Sequence, residues 1–153
     1  MSRRHALPRL AVALAALLVL VGCGRDINVK PVTQLGTQHG VVLTLMVPSV
    51  QHAVTAAIPG ALQGKKVGIR YGTGSPDDIT ATVKNGRLID LVVLPAGPAL
   101  ERISDELLRT PSLLGTLGST RYYAGAVTAK ALPIVTYWEG PQGKTRLRRG
   151  GLH

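Results

Sequence analysis

Residues 66–94 read KVGIRYGTGSPDDITATVKNGRLIDLVVL, and this stretch decides the fold class. Lys66-Val67-Gly68-Ile69-Arg70-Tyr71 has the pattern of a short strand, and Gly72-Thr73-Gly74 reads as the loop that ends it. Ser75-Pro76-Asp77-Asp78 is an unusually complete helix start. Ser75 caps free amides, Pro76 is pre-set for the first helical position, and the two aspartates complement the positive end of the helix dipole. Ile79 and Val83 lie one turn apart, and Asn85-Gly86 closes the helix. A further strand, Leu88 to Leu94, follows with Leu91-Val92-Val93-Leu94 as its apolar centre.

The same order extends outward in both directions. Before it, Val41 to Val47 is a short apolar run suited to a buried parallel strand, and Pro48 ends it. Ser49 then stands as N-cap of a helix with Val50, Val54, Ala57 and Ile58 on its apolar side, stopped by Pro59-Gly60. After it, Pro98 opens a helix with Leu100, Ile103 and Leu107 along one stripe. Leu113 to Ser119 reads as a glycine-containing connection and Tyr122 to Ala129 as a fourth strand; beyond Pro133 the pattern dissolves. Three strand-then-helix units predict an α/β lobe with a mainly parallel sheet flanked by helices, because right-handed crossovers place helices on the sheet faces. Ligands of such sheets sit outside the carboxyl ends of the strands, here Ser49, Gly72 to Ser75, and Pro95 to Gly97.

The N-terminus carries a different signal. Arg3, Arg4 and Arg9 precede an unbroken apolar run from Leu10 to Val21, the charged and hydrophobic regions of a signal peptide. Twelve helical residues at about 1.5 Å each cover roughly 18 Å, short of the ~30 Å hydrocarbon core, so the run does not read as a spanning helix. Leu20-Val21-Gly22-Cys23 resembles the lipobox of bacterial lipoprotein signals, which implies acylation of Cys23 and cleavage after Gly22. Ser2-Arg3-Arg4 also fits a twin-arginine signal, so both export routes stand. The expected product is anchored to the outer face of the cytoplasmic membrane or held in the periplasm. Cys23 is the only cysteine, which excludes an intramolecular disulfide.

The chain therefore divides into a signal peptide (1–22), a lipid-anchored tether (23–40), a lobe (41–132) and a basic tail (133–153) read as solvated and disordered. Taking the three leader arginines from the 18 basic residues leaves 15 against 8 acidic, a net charge of +7. Much of that excess is Lys144, Arg146, Arg148 and Arg149. Four tyrosines and one tryptophan offer few stacking platforms, so nucleic acid is not the expected partner; anionic headgroups or small anions are. With no phenylalanine, the core must be built from Leu, Val, Ile and Ala.

From Val41 to about Lys130 the sequence resembles the first lobe of periplasmic solute-binding proteins of ABC transporters (type II), most closely the molybdate- and tungstate-binding type. The resemblance rests on Pro48-Ser49 after the first strand, on the Tyr71-Gly72-Thr73-Gly74-Ser75 turn, and on Val83-Lys84-Asn85-Gly86 followed by Ile89-Asp90-Leu91-Val92-Val93-Leu94. It implies a small oxyanion held by neutral hydroxyls and by backbone amides at helix N-termini, and delivery to the permease of an ABC importer. Ser49 and Ser75 match the family positions, with Thr73 the alternative if the turn aligns differently and Gly74 lending its backbone. Asp77 and Asp78 compete with an anion for the same helix end. The family closes two lobes around its ligand, whereas residues 133–153 are too short for a second, so the lobe is expected to be incomplete.

The rival reading is a truncated or diverged relative that binds no solute and serves as a surface interaction lipoprotein, or has no function. An enzyme is not expected. Ser49, His52 and Asp78 supply the residue types of a triad, but no nucleophile elbow occurs. No cofactor is expected: Gly72-Thr73-Gly74 lacks the third glycine of a dinucleotide fingerprint. No metal is expected either, since His39 and His52 make no ligand spacing with Cys23.

Overall fold

The computed structural model describes residues 40–65 and 67–153. The expected signal peptide, Cys23 and all but the last residue of the expected tether lie outside the described residues. Five strands form one open sheet in the order β2-β1-β3-β5-β4, where β1 is Val41–Met46, β2 Gly68–Thr73, β3 Leu91–Pro95, β4 Ser112–Leu117 and β5 Thr120–Ala126. β1 pairs in parallel with β2 and β3, while β5 is antiparallel to both β3 and β4. Four strands thus point one way and only β5 runs against them. The fold is α/β with a mixed, mostly parallel sheet flanked by helices.

β1, β2 and β3 are linked by α1 (Gln51–Leu62) and α2 (Pro76–Lys84). Because β2 and β3 flank β1 on opposite sides, right-handed crossovers put α1 and α2 on opposite faces. The packing follows: α1 lies against α4 (Leu132–Glu139) and α5 (Pro141–Arg149), and α2 against α3 (Pro98–Arg102). Between the layers, Val42, Met46, Ile69, Leu91, Val92, Val93 and Leu94 are all but inaccessible. Asp90, 5% exposed, clasps the amino end of the sheet. Its carboxylate accepts from the Leu43 amide at 2.8 Å and the Thr128 hydroxyl at 2.6 Å, and Lys130 Nζ stands 3.4 Å away.

Several sequence expectations are corrected. α1 runs through Pro59-Gly60 to Leu62, because Ala61 and Leu62 are buried and tertiary packing outweighs the missing proline donor. β2 continues through Gly72 to Thr73, so Gly72-Thr73-Gly74 is largely strand and not loop. β3 begins at Leu91, since the Ile89 amide turns back to the Arg87 carbonyl (2.8 Å) and leaves Leu88 85% exposed. The third helix is short, followed by a 3₁₀ turn at Ser104–Glu106, and Leu107 instead fills the space over Gly125 of β5. The supposed connection at Leu113–Ser119 is mostly β4, hairpinned to β5.

The largest correction concerns residues 133–153. They are no solvated tail: α4 and α5 close one face of the sheet, with Ile134, Val135, Trp138, Leu147 and Leu152 buried. Trp138 Nε1 donates to the Ala57 carbonyl at 3.3 Å. Gly150 meets α1 so closely that a Cβ there would come within 2.4 Å of Ala53 Cα. Beyond it, His153 exchanges backbone hydrogen bonds with Thr116 of β4. The lobe is therefore carried by residues on both sides of the boundary expected at 132.

Candidate functional site

The direction of chain travel reverses between β1 and β3: the β1–α1–β2 unit leaves to one side and β3 is laid down on the other. Such a switch point opens a crevice at the carboxyl ends of the strands. The segments that border it are the turn after β1, the β2–α2 turn, the Pro95-Ala96-Gly97 turn after β3 and, because β5 is reversed, the start of β5.

Ser49 lies in the first of these. Pro48 seeds a 3₁₀ turn at Pro48–Val50 after the Val47 amide has bonded the Val93 carbonyl at 3.3 Å. That extra turn moves the start of α1 to Gln51, so Ser49 caps nothing, contrary to the sequence expectation. Its exposed hydroxyl instead meets the Tyr122 hydroxyl of β5 at 3.0 Å. Two hydroxyls joined by one hydrogen bond keep one hydrogen to donate outward, together with free lone pairs. Tyr122 itself is only 6% exposed, so its ring is fixed by the core and its oxygen is delivered to the mouth at a set position.

Ser75 follows the next strand. As expected, it caps α2, accepting from the Asp78 amide at 3.1 Å. β1 and β2 end level, Met46 beside Thr73, so both nominated serines stand at the same end of the sheet on neighbouring strand ends. They are not joined. Ser49 turns across β3 toward β5, and Ser75 turns into its own helix. Thr73 closes the β2 ladder, half-buried, and the Gly74 amide is taken by the Met46 carbonyl at 3.1 Å. A side chain on Gly74 would meet only ordinary contacts at 3.6 Å, so packing does not demand glycine there.

The acidic start of α2 is half offset. Asp77 pairs with Arg102 of α3 at 2.5 Å, both well exposed, whereas the Asp78 carboxylate has no cationic partner among the described residues. The turn after β3 contributes Gly97, whose φ of +138° suits glycine and whose Cβ position is empty. The Ala96 amide bonds the Arg121 carbonyl at 2.8 Å, which sets exposed Arg121 next to Tyr122 at this end.

Tyr122 and Arg121 were not singled out by the sequence. Tyr122 enters the site only because β5 is reversed, and a reversed strand places its first residues where its neighbours place their last. Ser49, His52 and Asp78 are linked by no hydrogen bond among the described residues. Asp78 begins α2, on the opposite face of the sheet from His52 in α1. No group of three His, Cys, Asp or Glu side chains suited to a metal ion occurs among the described residues.

Comparison of the chain with protein families, with curated proteins and with solved structures finds no match.

Proposed function

We propose that this chain is an exported, lipid-anchored solute-binding lobe that holds a small oxyanion, of the molybdate type, at the carboxyl end of its sheet and passes it to an ABC importer. The observation that carries the reading is the Ser49–Tyr122 hydroxyl pair at the switch point, 3.0 Å apart, with a hydrogen left to give. Neutral donors suit an anion that must also be released, and exposed Arg121, one residue before Tyr122 at the same end of the sheet, adds positive charge to that end. In this reading Ser75, Thr73 and Gly74 border the same mouth without making the first contact. The type II periplasmic-binding character inferred from the sequence belongs to the same proposal, as do acylation at Cys23 and the permease partner.

The test is isothermal titration of the segment from Gly24 onward, which contains every described element, with molybdate, tungstate, sulfate and phosphate. One of the four binds, and Ser49→Ala or Tyr122→Phe weakens it about tenfold to a hundredfold, the range of a hydrogen bond to a charged group of about 1.5–3 kcal/mol. Silence with all four contradicts the proposal. A second reading, a diverged lobe that takes no solute and acts as a surface interaction lipoprotein, is favoured by two features. Both nominated serine hydroxyls already have partners within the chain, and the Asp78 carboxylate stands at the α2 start.

A further inference from the structure

Helix α5 reads Pro141-Gln142-Gly143-Lys144-Thr145-Arg146-Leu147-Arg148-Arg149 and contains no acidic residue. Gly143 and Leu147 face the core. Lys144 turns inward: its ammonium donates to the Leu113 carbonyl and, at 3.3 Å, to that of Leu114, and partial burial lowers its pKa from the usual 10.5. Arg146, Arg148 and Arg149 remain exposed, and none has an acidic partner within ion-pair distance among the described residues. Gln142, Thr145, Arg146 and Arg149 recur at helical spacing along one stripe and, with Pro141, line an open cleft of about 400 Å³. Its polar side chains carry hydrogen-bond donors and no carboxylate.

From this face we infer a docking surface for anionic phospholipid headgroups. A guanidinium presents donors in a fixed fork that matches phosphate oxygens, and α5 leaves three of them exposed, Arg146 with its Nε over Gly60 of α1, on a helix held rigid by Leu147 and by the Gly150–Ala53 contact. The apolar side of α5 is spent on the core, so the helix does not sink into the bilayer; the attraction is electrostatic and salt-sensitive. A lipid surface fits better than a nucleic acid because Tyr71, Tyr122, Tyr123, Tyr137 and Trp138 are all buried or half-buried, which leaves no exposed aromatic platform for bases. The lipid anchor proposed above would keep this face near a membrane, but the attraction stands on α5 alone.

The experiment is co-sedimentation of the unacylated segment from Gly24 with vesicles of phosphatidylcholine, with and without phosphatidylglycerol. The segment is retained only by the anionic vesicles and released by salt of roughly 0.5 M, where the screening length falls to a few ångströms. Loss of one cation near such a surface weakens binding about fivefold, so Arg146→Gln/Arg149→Gln lowers partitioning on the order of twentyfold. Arg146→Lys/Arg149→Lys retains most of it. Lys84→Gln/Arg102→Gln removes the same charge from the opposite layer and leaves retention unchanged. Equal retention by neutral vesicles, equal loss in the two Gln pairs, or tighter hold on a single-stranded oligonucleotide overturns the inference. Displacement by low-millimolar inorganic phosphate overturns it too, in favour of a discrete phosphate site. Arg146→Gln/Arg149→Gln leaves the oxyanion titration unaltered, so the two readings fail separately.

Discussion

The two helical layers that sandwich the sheet differ in charge and in how each is held. On one face, α2, α3 and the following turn carry Asp77, Asp78, Glu101, Asp105 and Glu106 among Lys84 and Arg102, and the layer pairs within itself through Arg102–Asp77 and Lys84–Glu106. On the other face, α1 with the turn after it, α4 and α5 carry one acid, Glu139, against Lys65 and the four cations of α5. The acidic layer is fastened by local devices, a cap and short-range ion pairs. The basic layer is fastened by apolar burial, close backbone approach and the bonds of Glu139 and Lys144 to β4 and its flank, and Arg146, Arg148 and Arg149 are left exposed. The three arginines of α5, which take no part in holding the layer down, are available for a partner.

The largest effect expected from this difference lies at Trp138, which is fully buried beneath α1. Trp138→Ala costs about 3–5 kcal/mol and lowers the urea midpoint of the whole lobe in one transition. A variant in which only α4 and α5 come loose, while the sheet unfolds at the original midpoint, would break the comparison by returning those helices to the status of a tail. A smaller effect belongs to the acidic layer. Ser75→Ala removes the α2 cap and costs about 1 kcal/mol, measured the same way; no change would mean the cap is not what starts the helix.

The smallest effect is a pH dependence at the seam between α4 and β4. Glu139 accepts from the Ser112 hydroxyl and from Arg109 at 3.0 Å, and these, the Ser112 bond foremost, hold its pKa below the usual 4.5. A carboxyl depressed on folding adds stability that is present above its unfolded value and is lost as pH falls through the folded one. Wild type should therefore lose more stability below about pH 4.5 than Glu139→Gln does. Lys144 has the same sign in a higher window: its lowered amine also makes folding more favourable as pH rises, here toward 10.5. Parallel stability curves for wild type and Glu139→Gln through the acid limb would contradict the Glu139 assignment.

The acidic layer was legible in the sequence and the basic one was not, for physical reasons. Ser75-Pro76-Asp77-Asp78 specifies a helix start within four residues, and the apolar centre of β3 declares itself by composition alone. In contrast, α5 buries little besides Gly143 and Leu147, so its Gly- and Arg-rich sequence resembles that of a solvated segment. Glycine weakens a helix by propensity, yet at Gly143 a Cβ would meet the Tyr137 carbonyl oxygen at 2.2 Å, a constraint visible only once α4 is in place. The candidate site divides in the same way. Ser75 was readable because its bond is local; the bond from Ser49 to Tyr122 crosses 73 residues and depends on β5 being reversed, which no local pattern announces.

Native-state amide hydrogen exchange tests most directly whether the carboxyl-terminal helices are integral to the lobe. The amides of Trp138, Leu147 and Leu152 should be protected to within a few tenfold of those of Val92 and Val93 in the central strand, and should open together with them as denaturant is added. Exchange of Trp138 and Leu147 at the rate of an unstructured peptide, with Val92 and Val93 still protected, would contradict the account.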